Sequence, residues 1–134
     1  MAGFPAFLDT NVLVYAYSGS EPAERAEHLM EQPFTVGVQT LNEFALASRR
    51  KLHMDWLQIA EAIEQIEALA LHIVITDLND LKSAVKLAER YYLAFFDAVM
   101  IATALRAGCT TFYSEDMHHG LVVEDQLTIL NPFR

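Results

Sequence analysis

Short apolar runs alternate with longer helix-patterned segments along almost the whole chain, and this alternation leaves few folds open. Ala6 to Leu8, Phe34 to Val38, His72 to Ile75, Thr111 to Ser114 and Thr128 to Leu130 read as short buried strands. Helices are predicted between them over Asn11–Tyr17, Ser20–Gln32, Thr40–Lys51, Asp55–Ala70, Asp77 to about Tyr92, and Phe96–Ala107. Pro22 suits a first helical turn, because its missing N–H would have no partner there. Asp55-x-x-Gln58 has the form of a capping box. Asp77 caps the next helix, and Gly108 ends the last one. Neighbouring parallel strands require a crossover, usually helical, so strands that alternate with helices predict an α/β sandwich with a mostly parallel sheet.

The 134 residues suit one domain with a core it can bury alone, and no repeat, linker or composition break divides them. The longest apolar runs, such as Ala98 to Ala102, are too short to span a bilayer. The stretch before Asp9 lacks the pattern of a secretory signal. The single Cys109 can form no internal disulfide. A cytoplasmic protein without membrane contact is expected. Eighteen acidic residues against nine Lys and Arg give a net charge of −9. That balance opposes a general electrostatic nucleic-acid binder and suits a metal site, a basic partner or a soluble surface.

Four carboxylates stand out once placed on these elements. Asp9 interrupts the apolar run Phe7-Leu8-Asp9-Thr10-Asn11-Val12 at the end of the first strand. Glu43 falls in the first turn of the helix after the second strand, Asp97 opens the small-residue helix Phe96 to Ala107, and Asp116 follows the fourth strand. In a parallel sheet, strand C-termini and the helix N-termini that follow them share one edge, which is where open α/β sheets bind ligands. Four acids gathered there repel one another unless a hard divalent cation such as Mg²⁺ or Mn²⁺ offsets their charge. Each acid also has a purely structural reading. Asp9 can cap a helix, Thr40-x-x-Glu43 matches a capping box, Asp97 suits a helix N-terminus, and Asp116 suits a turn. Their joint position on one sheet edge favours a metal site.

The motifs Phe7-Leu8-Asp9-Thr10-Asn11, Asn42-Glu43, Asp97-Ala98 with its small apolar helix, and Ser114-Glu115-Asp116 resemble the four motifs of PIN-domain nucleases. The resemblance is greatest to VapC-type toxins of bacterial toxin–antitoxin systems, and its order and spacing cover nearly the whole chain. It implies a PIN-like three-layer sandwich with a mostly parallel five-stranded sheet, and a metal-dependent endoribonuclease. Asp9, Glu43, Asp97 and Asp116 match the acidic quartet that holds one or two Mg²⁺ or Mn²⁺ ions. Asn11 matches the polar residue that steadies the first aspartate, and Ser114 matches a hydroxyl residue bordering the site. The resemblance also implies an RNA substrate, a homodimer, and a small antitoxin protein whose tail fills the active site.

Two other functions compete. A haloacid-dehalogenase-like phosphatase requires Asp-x-Asp after the first strand, where this chain has Asn11, and a lysine near the later acids, which Phe95 to Thr103 lacks. A non-catalytic PIN-like module binding protein or RNA has little reason to hold four carboxylates together. Among the other polar groups, His118-His119 reads as a solvated pair in a polar loop. Arg49-Arg50-Lys51 reads as cations complementing a helix C-terminus. Lys82, Lys86 and Arg90, at helical spacing, read as a basic stripe that is either solvated or meets phosphates. In Ser114-Glu115-Asp116, strand alternation predicts that Ser114 and Asp116 share the site side and that Glu115 points away.

Overall fold

The computed structural model describes residues 5–134; the first four residues of the domain read from the sequence lie outside it. The chain runs β1 (Ala6–Leu8), α1 (Thr10–Ala16), α2 (Ala23–Glu31), β2 (Phe34–Gly37), α3 (Val38–Lys51) and α4 (Trp56–Leu69). It continues through β3 (His72–Val74), α5 (Leu78–Tyr91), α6 (Phe95–Arg106), β4 (Thr111–Tyr113), β5 (Val122–Val123) and β6 (Leu127–Leu130). Among the described residues, six strands form one sheet in the order β3-β2-β1-β4-β6-β5. Every pairing is parallel except the antiparallel β5–β6 edge. The predicted α/β sandwich is therefore present, with one strand more than the five expected.

The extra strand has a local cause. Glu124 and Asp125 both adopt left-handed conformations, φ 53° and 55°, and Gln126 N donates to Val123 O at 3.0 Å. Two successive positive φ values make the kind of tight turn that usually carries Asn-Gly. Glu-Asp gives no such signal in the sequence.

Each sheet face has its own core because strand side chains alternate. Phe7 and Phe112 stack at 5.2 Å on one face, where α5 and α6, the latter buried from Ala98 to Ala104, cover them. Leu8, Phe34 and Val36 serve the other face, packed with Val12, Leu13, Phe44 and Ile66 from α1, α3 and α4. The result is three layers. The caps predicted at Asp55 and Asp77 are formed, each carboxylate accepting from the backbone N–H three residues on, at 2.8 Å.

One boundary matters for the site. α3 starts at Val38, two residues before the predicted start, and the Thr40 hydroxyl accepts from Gly37 N at 3.2 Å. Thr40 thus works from inside the helix, not as the residue that caps it. Glu43 lies in the second turn, and the Thr40–Glu43 capping box does not form. No helix among the described residues is long and apolar enough to cross a membrane.

Candidate active site

β1 delivers Asp9 to the C-terminal edge of the sheet, where α1 begins. Its carboxylate is buried and fully engaged: Thr10 N donates to Oδ1 at 2.7 Å, and Ser114 Oγ donates to Oδ2 at 2.7 Å. Asp9 therefore caps α1 and faces the site at once, so the two readings of the sequence do not exclude each other. Asn11 Nδ2 donates to Asp9 Oδ2 at 3.3 Å and to Asp116 Oδ2 at 3.0 Å. Asn11 Oδ1 in turn accepts from Glu115 N at 3.3 Å. One asparagine thus ties the first acidic motif to the last, across more than 100 residues of chain. Asp116 N donates to Ser114 Oγ at 3.2 Å, so Ser114 joins the same two aspartates through a single hydroxyl.

Glu43 from α3 and Asp97 from α6 line the same cleft, of about 480 Å³. The electrostatics tie the four acids together. Burial pushes Asp9 up to about 6, against the lowering effect of the Ser114 and Thr10 hydrogen bonds, and the charges of Asp97 and Asp116 add to the rise. Burial, then Asp97, raises Glu43; burial, then Asp116, raises Asp97. These are mutually repelling carboxylates at close quarters.

Among the described residues, no group of three metal-binding side chains is drawn together tightly enough to hold an ion as a set. The chemistry of the donors nevertheless fits a hard divalent cation. Glu43 Oε2 is buried without a hydrogen-bond partner, an orphaned anionic oxygen that a cation would satisfy. All four candidates are carboxylates, the donors Mg²⁺ and Mn²⁺ prefer. Chelation would need Glu43, Asp97 and Asp116 to close on the ion around the fixed Asp9.

Several features of this cleft differ from the sequence reading. β4 ends at Tyr113, before Ser114, so strand alternation does not govern Glu115. Glu115 lines the cleft instead of pointing away, and its Oε2 accepts from Tyr15 Oη at 2.5 Å. That bond pushes the Tyr15 phenol up to about 12, with burial adding to it. Arg50 and Lys51 at the end of α3 form part of the cleft wall, whereas their sequence position suggested only a helix C-terminus. His119 is not simply solvated, because its Nδ1 accepts from Asn131 N at 2.9 Å. Of the basic stripe, Arg90 is engaged by Glu124 at 2.9 and 3.0 Å. Tyr15 was detectable only as an apolar position of α1, and no sequence signal distinguished it.

Comparison with known proteins agrees with the fold. The chain is similar to a toxin–antitoxin complex structure from Klebsiella pneumoniae, with 20% identity, TM-score 0.73, and coverage of 96% of this chain and 98% of that one. It is similar to the sarcin-ricin loop cleaving toxin VapC20 of Mycobacterium tuberculosis, with 18% identity, TM-score 0.66, and coverage of 83% and 89%. It is also similar to VapBC2 from Rickettsia felis, solved with a fragment of its promoter DNA, with 16% identity, TM-score 0.61, and coverage of 84% and 89%. No curated protein matches the chain by sequence. The PIN domain family model matches residues 6–121, spanning β1 to the loop before β5 and including all four acidic motifs. The chain belongs to the PIN domain family.

Proposed function

We propose that this protein is a metal-dependent endoribonuclease, acting as the toxin of a toxin–antitoxin pair. The observation that carries the reading is the convergence of Asp9, Glu43, Asp97 and Asp116 on one cleft, with Asn11 and Ser114 bonded between the first and last motifs. Asp9, Glu43, Asp97 and Asp116 would hold Mg²⁺ or Mn²⁺. A metal bound there would supply an activated water and offset the negative charge on the phosphoryl oxygens in the transition state. The protein's own part is placement. Ser114 and Thr10 fix the Asp9 carboxylate, Asn11 sets the distance from Asp9 to Asp116, and Arg50 and Lys51 offer phosphate contacts on an otherwise acidic wall. The similar toxins support the toxin reading, and a small antitoxin is the partner.

The test is cleavage of a mixed RNA pool with and without Mn²⁺. Mn²⁺-dependent cleavage supports the reading, and its absence at micromolar protein would refute it. A phosphatase would instead hydrolyse small phosphomonoesters, which this protein is expected to leave intact.

Two adjacent acids compete for the fourth ligand position. Asp116 is tied to Asn11, and through Ser114 to Asp9, whereas Glu115 is occupied by Tyr15. Asp116→Ala is therefore expected to weaken Mn²⁺ affinity and cleavage far more than Glu115→Ala. Calorimetric Mn²⁺ titration of both variants measures this, and equal losses would show that the wrong carboxylate was assigned.

We also propose a homodimer. The chain from α3 through α4 carries more apolar residues than one small sheet needs, among them Leu52, Met54, Trp56, Leu57 and Ile59. Ile59 is buried, and Leu52 and Met54 pack against the core. Trp56 and Leu57 remain open, though Arg49 lies over the Trp56 ring at 4.9 Å. A longer apolar surface stands at the β3 edge, where Leu71 and Ile75 flank the strand and Leu78, Leu81 and Val85 share one face of α5. Light scattering at micromolar concentration is expected to give twice the chain mass of 15.1 kDa, and Val85→Asp to shift it toward a single chain. A monomeric wild type would refute the dimer.

A further inference from the structure

Tyr92 carries two costs at once. It follows α5 in a left-handed conformation, φ 56° and ψ 41°, at the helix C-cap, where such a conformation favours glycine. Its side chain is also left in solvent: the residue is 94% exposed, more than any other large hydrophobic among the described residues. Neither backbone geometry nor packing accounts for an aromatic ring at this position.

Its surroundings do. Tyr92 and His118 line a second cleft of about 460 Å³ together with Asp97 and Asp116. Those two acids also line the main cleft, so the two spaces adjoin at the carboxylates. Tyr92 also borders a more open depression shared with Lys86, Glu89 and Arg90. Arg90 is paired with Glu124, while Lys86 makes no ion pair among the described residues. From the carboxylates outward, a strand therefore meets an open aromatic ring and then an uncommitted cation. Phe95 and Phe96, the other exposed aromatics nearby, pack edge to face on each other and line neither space.

We propose that Tyr92 is a stacking platform for an unpaired base of the RNA next to the scissile phosphate, with Lys86 meeting the following phosphate. The inference rests on the nuclease reading and assigns two side chains to the RNA beside the cut. A base inside a duplex has both faces covered and cannot lie on a ring. An unpaired base can, and aromatic side chains bind such bases with little regard to sequence. A stacking contact and a few local phosphate contacts also suit a chain whose net charge of −9 opposes general electrostatic binding of nucleic acid.

Steady-state cleavage of a mixed-sequence single-stranded RNA by the full chain tests this. Tyr92→Gly keeps the left-handed backbone comfortable and removes the ring, so its thermal midpoint is expected to match or exceed the wild type. Its KM is expected to rise about tenfold, with the loss falling on KM and not on kcat, while Tyr92→Phe and Tyr92→Trp restore the wild-type KM. Lys86→Ala is expected to lower the slope of log KM against log salt by about one phosphate's worth. Wild-type cleavage with an unchanged KM for Tyr92→Gly overturns this inference and leaves the nuclease reading standing. Absence of cleavage by the wild type overturns both.

Discussion

Asp97→Asn is expected to lower Mn²⁺-dependent RNA cleavage by roughly 10³-fold while leaving the thermal midpoint unchanged or raised. The two halves of this result come from the same geometry. Asp97 sits in the first turn of α6, with its backbone fixed by a helix that is buried on nearly every side from Ala98 to Ala104. An amide of the same shape leaves that packing untouched. It removes one of the charges that repel one another in the cleft, and Asp9 and Glu43 both feel Asp97 directly. The amide also loses most of its value as a ligand for a hard cation, since a neutral oxygen replaces an anionic one. Cleavage assays and thermal unfolding on the same preparation measure both halves. Full activity would remove Asp97 from the site, and a large fall in midpoint would mean that the carboxylate is structural.

Asp9 shows how far the sequence could be read and where it stopped. An acid between apolar neighbours at the end of a strand carried two meanings, cap and site, and the structure lets one residue serve as the cap while lining the cleft, because Thr10 N and Ser114 Oγ take different oxygens of one carboxylate. The convergence of Asp9, Glu43, Asp97 and Asp116 was legible because it depends only on strand and helix order, which hydrophobic periodicity reports. Features that depend on side-chain direction were not. Glu115 enters the cleft because the chain leaves β4 one residue before alternation would have carried it away. Asn11 appeared as a partner of Asp9 alone, since its bond to Asp116 exists only after β1 and β4 pair. Arg50 and Lys51 read as helix-end cations because α3 has to be placed against the sheet before its last turn is seen to border the site. β5 escaped for a different reason: its turn uses Glu124-Asp125, residues that rarely adopt two positive φ angles in succession.

Arg106→Ala is expected to destabilise the fold by about 2 kcal/mol at pH 7, lowering the thermal midpoint by roughly 8 °C. The buried group at stake is Asp80, only 3% exposed, inside the α5–α6 contact. Its oxygens accept from Arg106 Nε at 2.9 and 3.1 Å, from Asp77 N at 3.0 Å and from Thr103 Oγ1 at 3.3 Å. Burial pushes Asp80 upward, yet the Arg106 guanidinium and the hydrogen bonds from Asp77 and Thr103 outweigh it and hold the carboxyl below its usual range. A carboxylate lowered in this way contributes stability that is complete above its unfolded pKa of about 3.9 and is lost as pH falls through the folded value. Removing Arg106 reverses the balance. The cap and hydroxyl bonds remain, but burial now acts without a counter-ion, and the nearby Asp77 carboxylate adds repulsion. The cost lies below that of a fully buried pair because Arg106 is partly solvated. Asp80 in the variant gains its proton at a higher pH than in the wild type, and protonation removes the penalty of the unpaired buried charge. The deficit between wild type and Arg106→Ala is therefore expected to be largest near pH 7 and to shrink as pH falls toward 4. Thermal unfolding across that range checks the sign. A deficit independent of pH would assign the loss to Arg106's packing, and a deficit growing at low pH would contradict the role given to Asp80.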